Sequence, residues 1–246
     1  MLAIIGGSGL TQLAYLNVTH REVVRTPYGE PSGILNFGRI GCRDVVFIAR
    51  HGHGHTIPPH LVNYRANVWS LARAAHAEGI VSVASVGGIR SDLKPGVVVV
   101  PHQILDYTWG RKHTYEEGGD TQVAHVDFTE PYDATLRQGL LAAATDAGEL
   151  VVDGAVYATT QGPRLETAAE INCIERDGGD IVGMTGMPEA SLARELDVPY
   201  AAICVVANWC AGRHDSANGI RFDAIEGLLQ DTHARVRRII EHFCVA

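Results

Sequence analysis

Leu2-Ala3-Ile4-Ile5-Gly6-Gly7-Ser8-Gly9 carries an apolar run straight into a glycine-rich turn. The run does not alternate polar with apolar, so it reads as a strand buried on both faces, as strands of helix-covered parallel sheets are. Glycines at the end of such a strand let backbone amides approach an anion, and the Ser8 hydroxyl adds a donor. A tight strand-to-helix turn accounts for the same residues, and on this stretch alone both readings stand. No Gly-Lys-Ser/Thr follows, so it is not a Walker A loop, and the Gly-x-Gly-x-x-Gly spacing of dinucleotide sites is missing.

Apolar runs of strand length recur at Val45–Ala49, Ile80–Val86, Val97–Val100, Val151–Ala158, Ile181–Gly183 and Ala201–Val206. Helical patterns lie between many of them. One covers 62–78 with Val68, Leu71, Ala72 and Ala75 at helix spacing, and others cover 134–147, 167–176 and 189–196, the last opened by Pro188. A final helix runs from an Asp223 N-cap to about Phe243. Alternating strands and helices predict an α/β fold, a three-layer sandwich around a mixed, mostly parallel β-sheet, in a single domain spanning 1–246. Two polar segments, 101–132 and 207–222, break the alternation; stretches of that length without periodicity are commonly functional or disordered.

The chain holds 20 Lys and Arg against 28 Asp and Glu, a formal net charge of −8, and no basic run able to track a nucleic-acid backbone. An anionic substrate must therefore be held by local groups against the global field. Five cysteines (Cys42, Cys173, Cys204, Cys210 and Cys244) are widely spaced and lack any Cys-x-x-Cys, which predicts reduced thiols in a cytoplasmic compartment. There is no signal-like apolar core behind a basic N-terminus, and no stretch of membrane-spanning length, so a soluble protein without membrane partners is expected.

Ligands of open α/β sheets bind at the carboxyl ends of strands, and polar groups cluster there in this sequence. Arg50-His51-Gly52-His53-Gly54-His55 follows an apolar strand, and one reading is an anion clamp with Arg50 as a bidentate donor and His51 as a second. Three alternate histidines also suit a metal, although no companion Asp, Glu or Cys cluster supplies further ligands. Arg-His-Gly is in addition the opening of the histidine phosphatases, which place it on their first strand. Gly183-Met184-Thr185 offers a hydroxyl to an anion and a flat thioether surface to a sugar, or else a core methionine beside a capping threonine.

Glu166, in Gln161-Gly162-Pro163-Arg164-Leu165-Glu166, and Asn208, at the end of the Ala201 run, form the most discriminating pair. An ionised carboxylate only accepts, so it matches the N1–H of a 6-oxopurine; a carboxamide donates and accepts, so it serves N7 and O6. Taken alone, a glutamate at a helix start is an exposed residue favoured by the dipole. Anion donors and a purine edge together point to phosphorolysis of a nucleoside, with inorganic phosphate as co-substrate and no metal or organic cofactor. A metal-dependent hydrolase built on His51, His53 and His55, and a non-catalytic nucleoside binder, are the competing classes.

These segments, with Thr26-Pro27-Tyr28-Gly29-Glu30-Pro31-Ser32, His55-Thr56-Ile57-Pro58-Pro59 and Val62-Asn63-Tyr64-Arg65-Ala66-Asn67, resemble the trimeric purine nucleoside phosphorylase and methylthioadenosine phosphorylase family along nearly the whole chain. The resemblance implies a nucleoside phosphorylase-like fold and phosphate held by Ser8, Arg50, His51, Thr185 and the backbone at Ala84-Ser85. It places Met184 under the ribose, His55 toward the sugar, and His125 reaching across a homotrimer interface to the 5′ end of a neighbour's substrate. Adenine-specific members carry aspartates at the positions of Asn208 and Cys210 and a small residue at that of Glu166, so the base site here is similar to that of inosine/guanosine enzymes. Phe222 stands where those enzymes use a histidine for the 5′-hydroxyl, and an apolar residue there suits a methylthio group. The combination resembles the bacterial S-methyl-5′-thioinosine phosphorylases, with Asn208, Glu166 and His51 as the residues of the chemical step. Methylthioadenosine, or ordinary inosine and guanosine, are the alternative substrates.

Overall fold

The computed structural model describes residues 1–10, 13, 15–119, 123–220 and 222–245, without the side chains of 222–226. Every residue of β1 (Leu2–Gly6) is buried, because parallel strands flank both its edges and helices cover both its faces. β4 (Arg43–Ala49) pairs Leu2 with Val45, and β5 (Gly79–Gly88) pairs Leu2 with Gly79. β2 (Asn17–Glu22) and β3 (Leu35–Ile40) extend the sheet beyond β4 in antiparallel fashion, and β2 forms a fully exposed edge. Polar residues interrupt both strands, so neither stands out as an apolar run.

The far side of the sheet is built on β5. β11 (Tyr200–Trp209) runs parallel along one of its edges and carries β6 (Val98–Val100) and then β8 (Val151–Asp153). On the other edge β1 gives way to β10 (Ile181–Gly183), which is antiparallel to β5 and leads on to β9 (Val156–Thr159) and β7 (Gln103–Asp106). Six of the ten pairings are parallel, which makes the sheet mixed and mostly parallel. The single run predicted over Val151–Ala158 is two strands in different parts of the sheet, broken at Gly154, whose φ of +92° a side chain resists.

Side-chain alternation sorts the strands into two cores, one on each face of the sheet. Ala3, Ile5, Val46 and Ile48 pack with Val68 and Leu71 of the α1 (Tyr64–Trp69) region and Ala190 and Ala193 of α4 (Gly186–Glu195). Leu2, Ile4, Val45 and Phe47 pack on the opposite face with Leu140 and Ala143 of α2 (Ala134–Asp146) and Val236 and Ile239 of α5 (Phe222–Val245). That gives the three layers. α3 (Ala168–Arg176) begins with a capping box in which Thr167 accepts from the Glu170 N–H and Glu170 accepts from that of Thr167. No helix among the described residues is long and apolar enough to cross a membrane.

Candidate active site

β1 leaves β5 after Ser82 and β10 joins that edge at Gly87, so Val83–Val86 has no strand partner there among the described residues. A cavity of about 790 Å³ opens over this gap. The ends of β1, β4, β10 and β11 all reach it, β10 from the opposite direction to the parallel strands. Ser8, Arg50, His51, Ala84, Ser85, Met184, Thr185, Glu166, Asn208 and Cys210 line it together, although they are spread over two hundred positions of sequence.

At one end the β1 turn closes down on the sheet. A Cβ on Gly7 would sit 2.5 Å from the Val83 carbonyl oxygen and 2.8 Å from Arg50 Nη1, so only glycine fits. Ser8 is half-buried beside Ser85, whose hydroxyl donates to the Ser8 carbonyl at 3.4 Å. Thr185 is buried; its hydroxyl makes no capping bond to α4 and lies 3.5 Å from Tyr157 Oη, a long contact that leaves it able to turn to a ligand.

The structure corrects the expected role of Arg50 as a bidentate clamp. The side chain is fully buried, and its paired face is taken by Glu189, Nε to Oε2 at 2.7 Å and Nη2 to Oε1 at 2.9 Å. Nη2 also donates to Ser82 Oγ at 2.7 Å and Nη1 to the Val83 carbonyl at 3.1 Å. One N–H of Nη1 remains, beneath Gly7. Burial alone would lower the Arg50 pKa, but Glu189 outweighs it and holds the guanidinium charged. Sequence reading placed Glu189 only on a helix; the one available signal was an arginine directly after a buried strand with no acidic neighbour.

His51 is likewise not a second donor at neutral pH. Burial, then the neighbouring Arg50 charge, push its pKa down to about 4. Nδ1 lies 2.8 Å from the Ile57 carbonyl, which can only accept, so Nδ1 carries the hydrogen and Nε2 presents a lone pair. His53 and His55 are exposed, and no group of three potential metal ligands converges among the described residues.

At the other end, an extra residue in β11 between Val206 and Asn208 swings Asn208 into the cavity. Its Nδ2 donates to the Trp209 carbonyl at 2.7 Å, which fixes the amide while leaving Oδ1 and one N–H available. Glu166 is half-buried and accepts from Thr160 Oγ1 at 2.5 Å. Cys210 packs under Gly87; burial, then the Glu166 charge, raise its pKa and keep it a neutral thiol. Met184 lies against Gly162, where a Cβ would meet its sulfur at 2.4 Å, so the thioether is fixed as a wall between the two ends.

Ile220 and Leu229 add an apolar wall that sequence reading did not assign to the site. The Phe222 side chain lies outside the described residues. His125 is exposed, and among the described residues of 101–132 none lines the cavity.

Residues 1–244 match the phosphorylase superfamily. The chain belongs to that superfamily. This member is 51% identical, over 96% of its own length and 94% of the relative's, to a probable S-methyl-5′-thioinosine phosphorylase of Pseudomonas syringae pv. tomato. A 6-oxopurine nucleoside phosphorylase of Pyrococcus furiosus is 45% identical, over 86% of this chain and 80% of the relative. Among solved structures, methylthioadenosine phosphorylase from Schistosoma mansoni in complex with adenine superposes with a TM-score of 0.93 at 32% identity, covering 99% of this chain and 90% of that one. The fold is therefore that of the nucleoside phosphorylases, and this superfamily member is an enzyme of the pentosyltransferase kind.

Proposed function

We infer that the chain catalyses phosphorolysis of S-methyl-5′-thioinosine, giving hypoxanthine and 5-(methylthio)ribose 1-phosphate. The observation that carries this reading is one cavity with hydroxyl donors from Ser8 and Thr185 at one end and the Glu166–Asn208 pair at the other. The apolar Ile220 and Leu229 wall suits a methylthio group, which needs no hydrogen-bond partner. The likeness to the Pseudomonas relative supports the same substrate.

In the reaction the C1′–N9 bond of the nucleoside breaks and a phosphate oxygen bonds to C1′. The proton carried by hydrogen phosphate ends on the released purine, so no redox partner is needed. Ser8, Thr185 and the free Nη1 hydrogen of Arg50 orient phosphate beneath the sugar, where its charge stabilises the developing oxocarbenium ion. His51, neutral with an exposed lone pair at Nε2, accepts a phosphate O–H rather than donating. Asn208 meets the charge that builds on the leaving base, and Glu166 accepts from N1–H. Inorganic phosphate is the co-substrate, and no metal or organic cofactor is assigned a role.

We place the active form in a homotrimer whose neighbouring copy brings His125 to the open end of the cavity. His125 is exposed between Val123 and Val126, two exposed apolar residues that an interface would cover. Five free cysteines suit a reducing compartment such as the cytoplasm. The deciding experiment incubates purified protein with S-methyl-5′-thioinosine with and without phosphate and follows hypoxanthine and sugar phosphate by chromatography. Both products must appear, and only with phosphate; release of hypoxanthine without phosphate marks a hydrolase. Methylthioadenosine and inosine at equal concentration rank the substrates. Preference for inosine would favour the second reading, a general 6-oxopurine nucleoside phosphorylase like the Pyrococcus relative.

A further inference from the structure

Arg111 stands in the polar 101–132 segment, outside the cavity, and is nevertheless only 7% exposed. Its guanidinium reaches six acceptors. Nε donates to Gln161 Oε1 at 3.1 Å, and Nη2 to the carbonyls of Thr160 at 3.2 Å and Gln161 at 2.9 Å. Nη1 donates to the carbonyls of Met184 at 2.8 Å and Met187 at 2.7 Å, and to Tyr64 Oη at 3.2 Å. All five N–H groups of the fork are thereby engaged.

Apart from Tyr64 Oη on α1, the acceptors belong to two segments that serve opposite ends of the cavity. Thr160 and Gln161 begin the loop that ends on Glu166, while Met184 and Met187 bracket Thr185. The ladder between β9 and β10 ends where the Thr160 N–H donates to the Gly183 carbonyl at 2.8 Å. Past that bond Arg111 spans the two loops. Met187 has φ −118° and ψ 140°, so its carbonyl stands outside the helical ladder of α4. Four main-chain carbonyls pointing at a common centre repel one another unless a cation sits among them, and a planar fork is the side chain that meets them all.

We propose that Arg111 is a positioning residue that holds the base-recognition loop and the sugar–phosphate loop in register, so that Glu166 and Thr185 grip one substrate at once; this rests on the phosphorolysis reading of the site. Loss of register on the order of 1 Å lowers turnover by roughly 100-fold. The defect extends to both substrates, because one anchor serves both loops. It also relaxes base choice, since Glu166 no longer meets N1 in fixed geometry. Arg111→Lys retains the charge but offers its donors from a single point, so it serves only part of the acceptor set.

The test compares the wild type with Arg111→Ala and Arg111→Lys, each checked for folding by circular dichroism and thermal melting. KM is measured for phosphate and for S-methyl-5′-thioinosine, together with the kcat/KM ratio of methylthioinosine to methylthioadenosine. The expected results for Arg111→Ala are a fall in kcat/KM of about 100-fold, a rise in both KM values and a ratio closer to unity. Arg111→Lys falls between, and millimolar guanidinium chloride, but not sodium or methylammonium chloride, restores part of the Arg111→Ala activity. A folded Arg111→Ala enzyme with wild-type KM values and ratio overturns the proposal, as does an activity loss indifferent to guanidinium. If Arg111→Ala does not fold, Arg111→Lys is judged on the same KM values and ratio. Failure of the wild type to form sugar phosphate overturns the function instead, and the loop clamp is then judged by calorimetric binding of hypoxanthine and phosphate to the same variants.

Discussion

Glu189 closes on Arg50 through two contacts of 2.7 and 2.9 Å with both side chains out of water, and the same carboxylate accepts from Ser82 Oγ and Tyr200 Oη at 2.8 Å each. Three of these donors meet Oε1 and one meets Oε2. The cavity floor is thus a neutral ion pair, and under the proposed function an incoming anion is attracted by hydroxyls and one guanidinium hydrogen. On the proposed function, a chain of net charge −8 thereby holds phosphate by close geometry rather than by a long-range field.

Removing one partner of that pair leaves an uncompensated charge in the core, which costs about 3–5 kcal/mol. Glu189→Ala is therefore expected to lose at least that much unfolding free energy in urea, and Glu189→Gln less, since the amide oxygen still accepts. The double variant Arg50→Met, Glu189→Leu should be more stable than either single truncation. A Glu189→Ala protein with the wild-type urea midpoint would show that the pair contributes nothing to the fold.

On the proposed function, base choice rests on Glu166 and Asn208. Asn208→Asp combined with Glu166→Ser removes the acceptor for N1–H and replaces a mixed donor–acceptor with a carboxylate able to take the N6 amino hydrogens of adenine. The kcat/KM ratio of methylthioinosine to methylthioadenosine should fall by at least 100-fold, roughly the scale on which sites that mismatch a buried polar group discriminate. Glu166→Gln alone should raise the KM for methylthioinosine and leave that for phosphate nearly unchanged. Retention of a strong 6-oxopurine preference in the double variant would refute the role given to this pair.

Much of this site was legible in the amino-acid sequence. Apolar runs located β1, β5, β10 and β11, and the polar residues that follow them line one cavity. Less legible was anything set by partners far away in sequence. Arg50 reads as a free cation until Glu189, 139 positions on, is brought against it. His51 reads as a donor until the Ile57 carbonyl claims its one hydrogen. Asn208 reads as the residue after a strand, whereas β11 continues through it, and the bulge that aims it has no sequence signature. β2 and β3 escaped notice because they alternate or face water.

Ser8 and Thr185 are assigned to phosphate through their hydroxyls. Deleting a hydrogen bond to a charged group costs about 1.5–3 kcal/mol, or roughly 10–100-fold. Ser8→Ala and Thr185→Ala should each raise the KM for phosphate by about that factor while changing the KM for the nucleoside much less. Thr185→Ser, which keeps the hydroxyl, should stay near wild type. Equal rises in both KM values for Thr185→Ala would place its hydroxyl on the sugar instead.

His51 makes the fold sensitive to acid. Its pKa in the folded chain is about 4, below the ordinary 6.5, so between those values the unfolded chain binds the extra proton and the folded chain does not. Stability supplied by the neutral imidazole is complete above about pH 6.5 and is lost as the pH falls toward 4. A tenfold difference in proton affinity is worth about 1.4 kcal/mol, so the loss reaches roughly 2–3 kcal/mol by about pH 4.5. The depressed pKa of buried His233 adds to it in the same direction. His51→Asn keeps a donor for the Ile57 carbonyl but cannot titrate. Urea unfolding at about pH 7 and pH 4.5 should therefore show a smaller acid penalty for His51→Asn than for the wild type, by about 2 kcal/mol. Parallel losses in the two proteins would mean that His51 titrates normally, and with it would go the lone pair assigned to Nε2 at neutral pH.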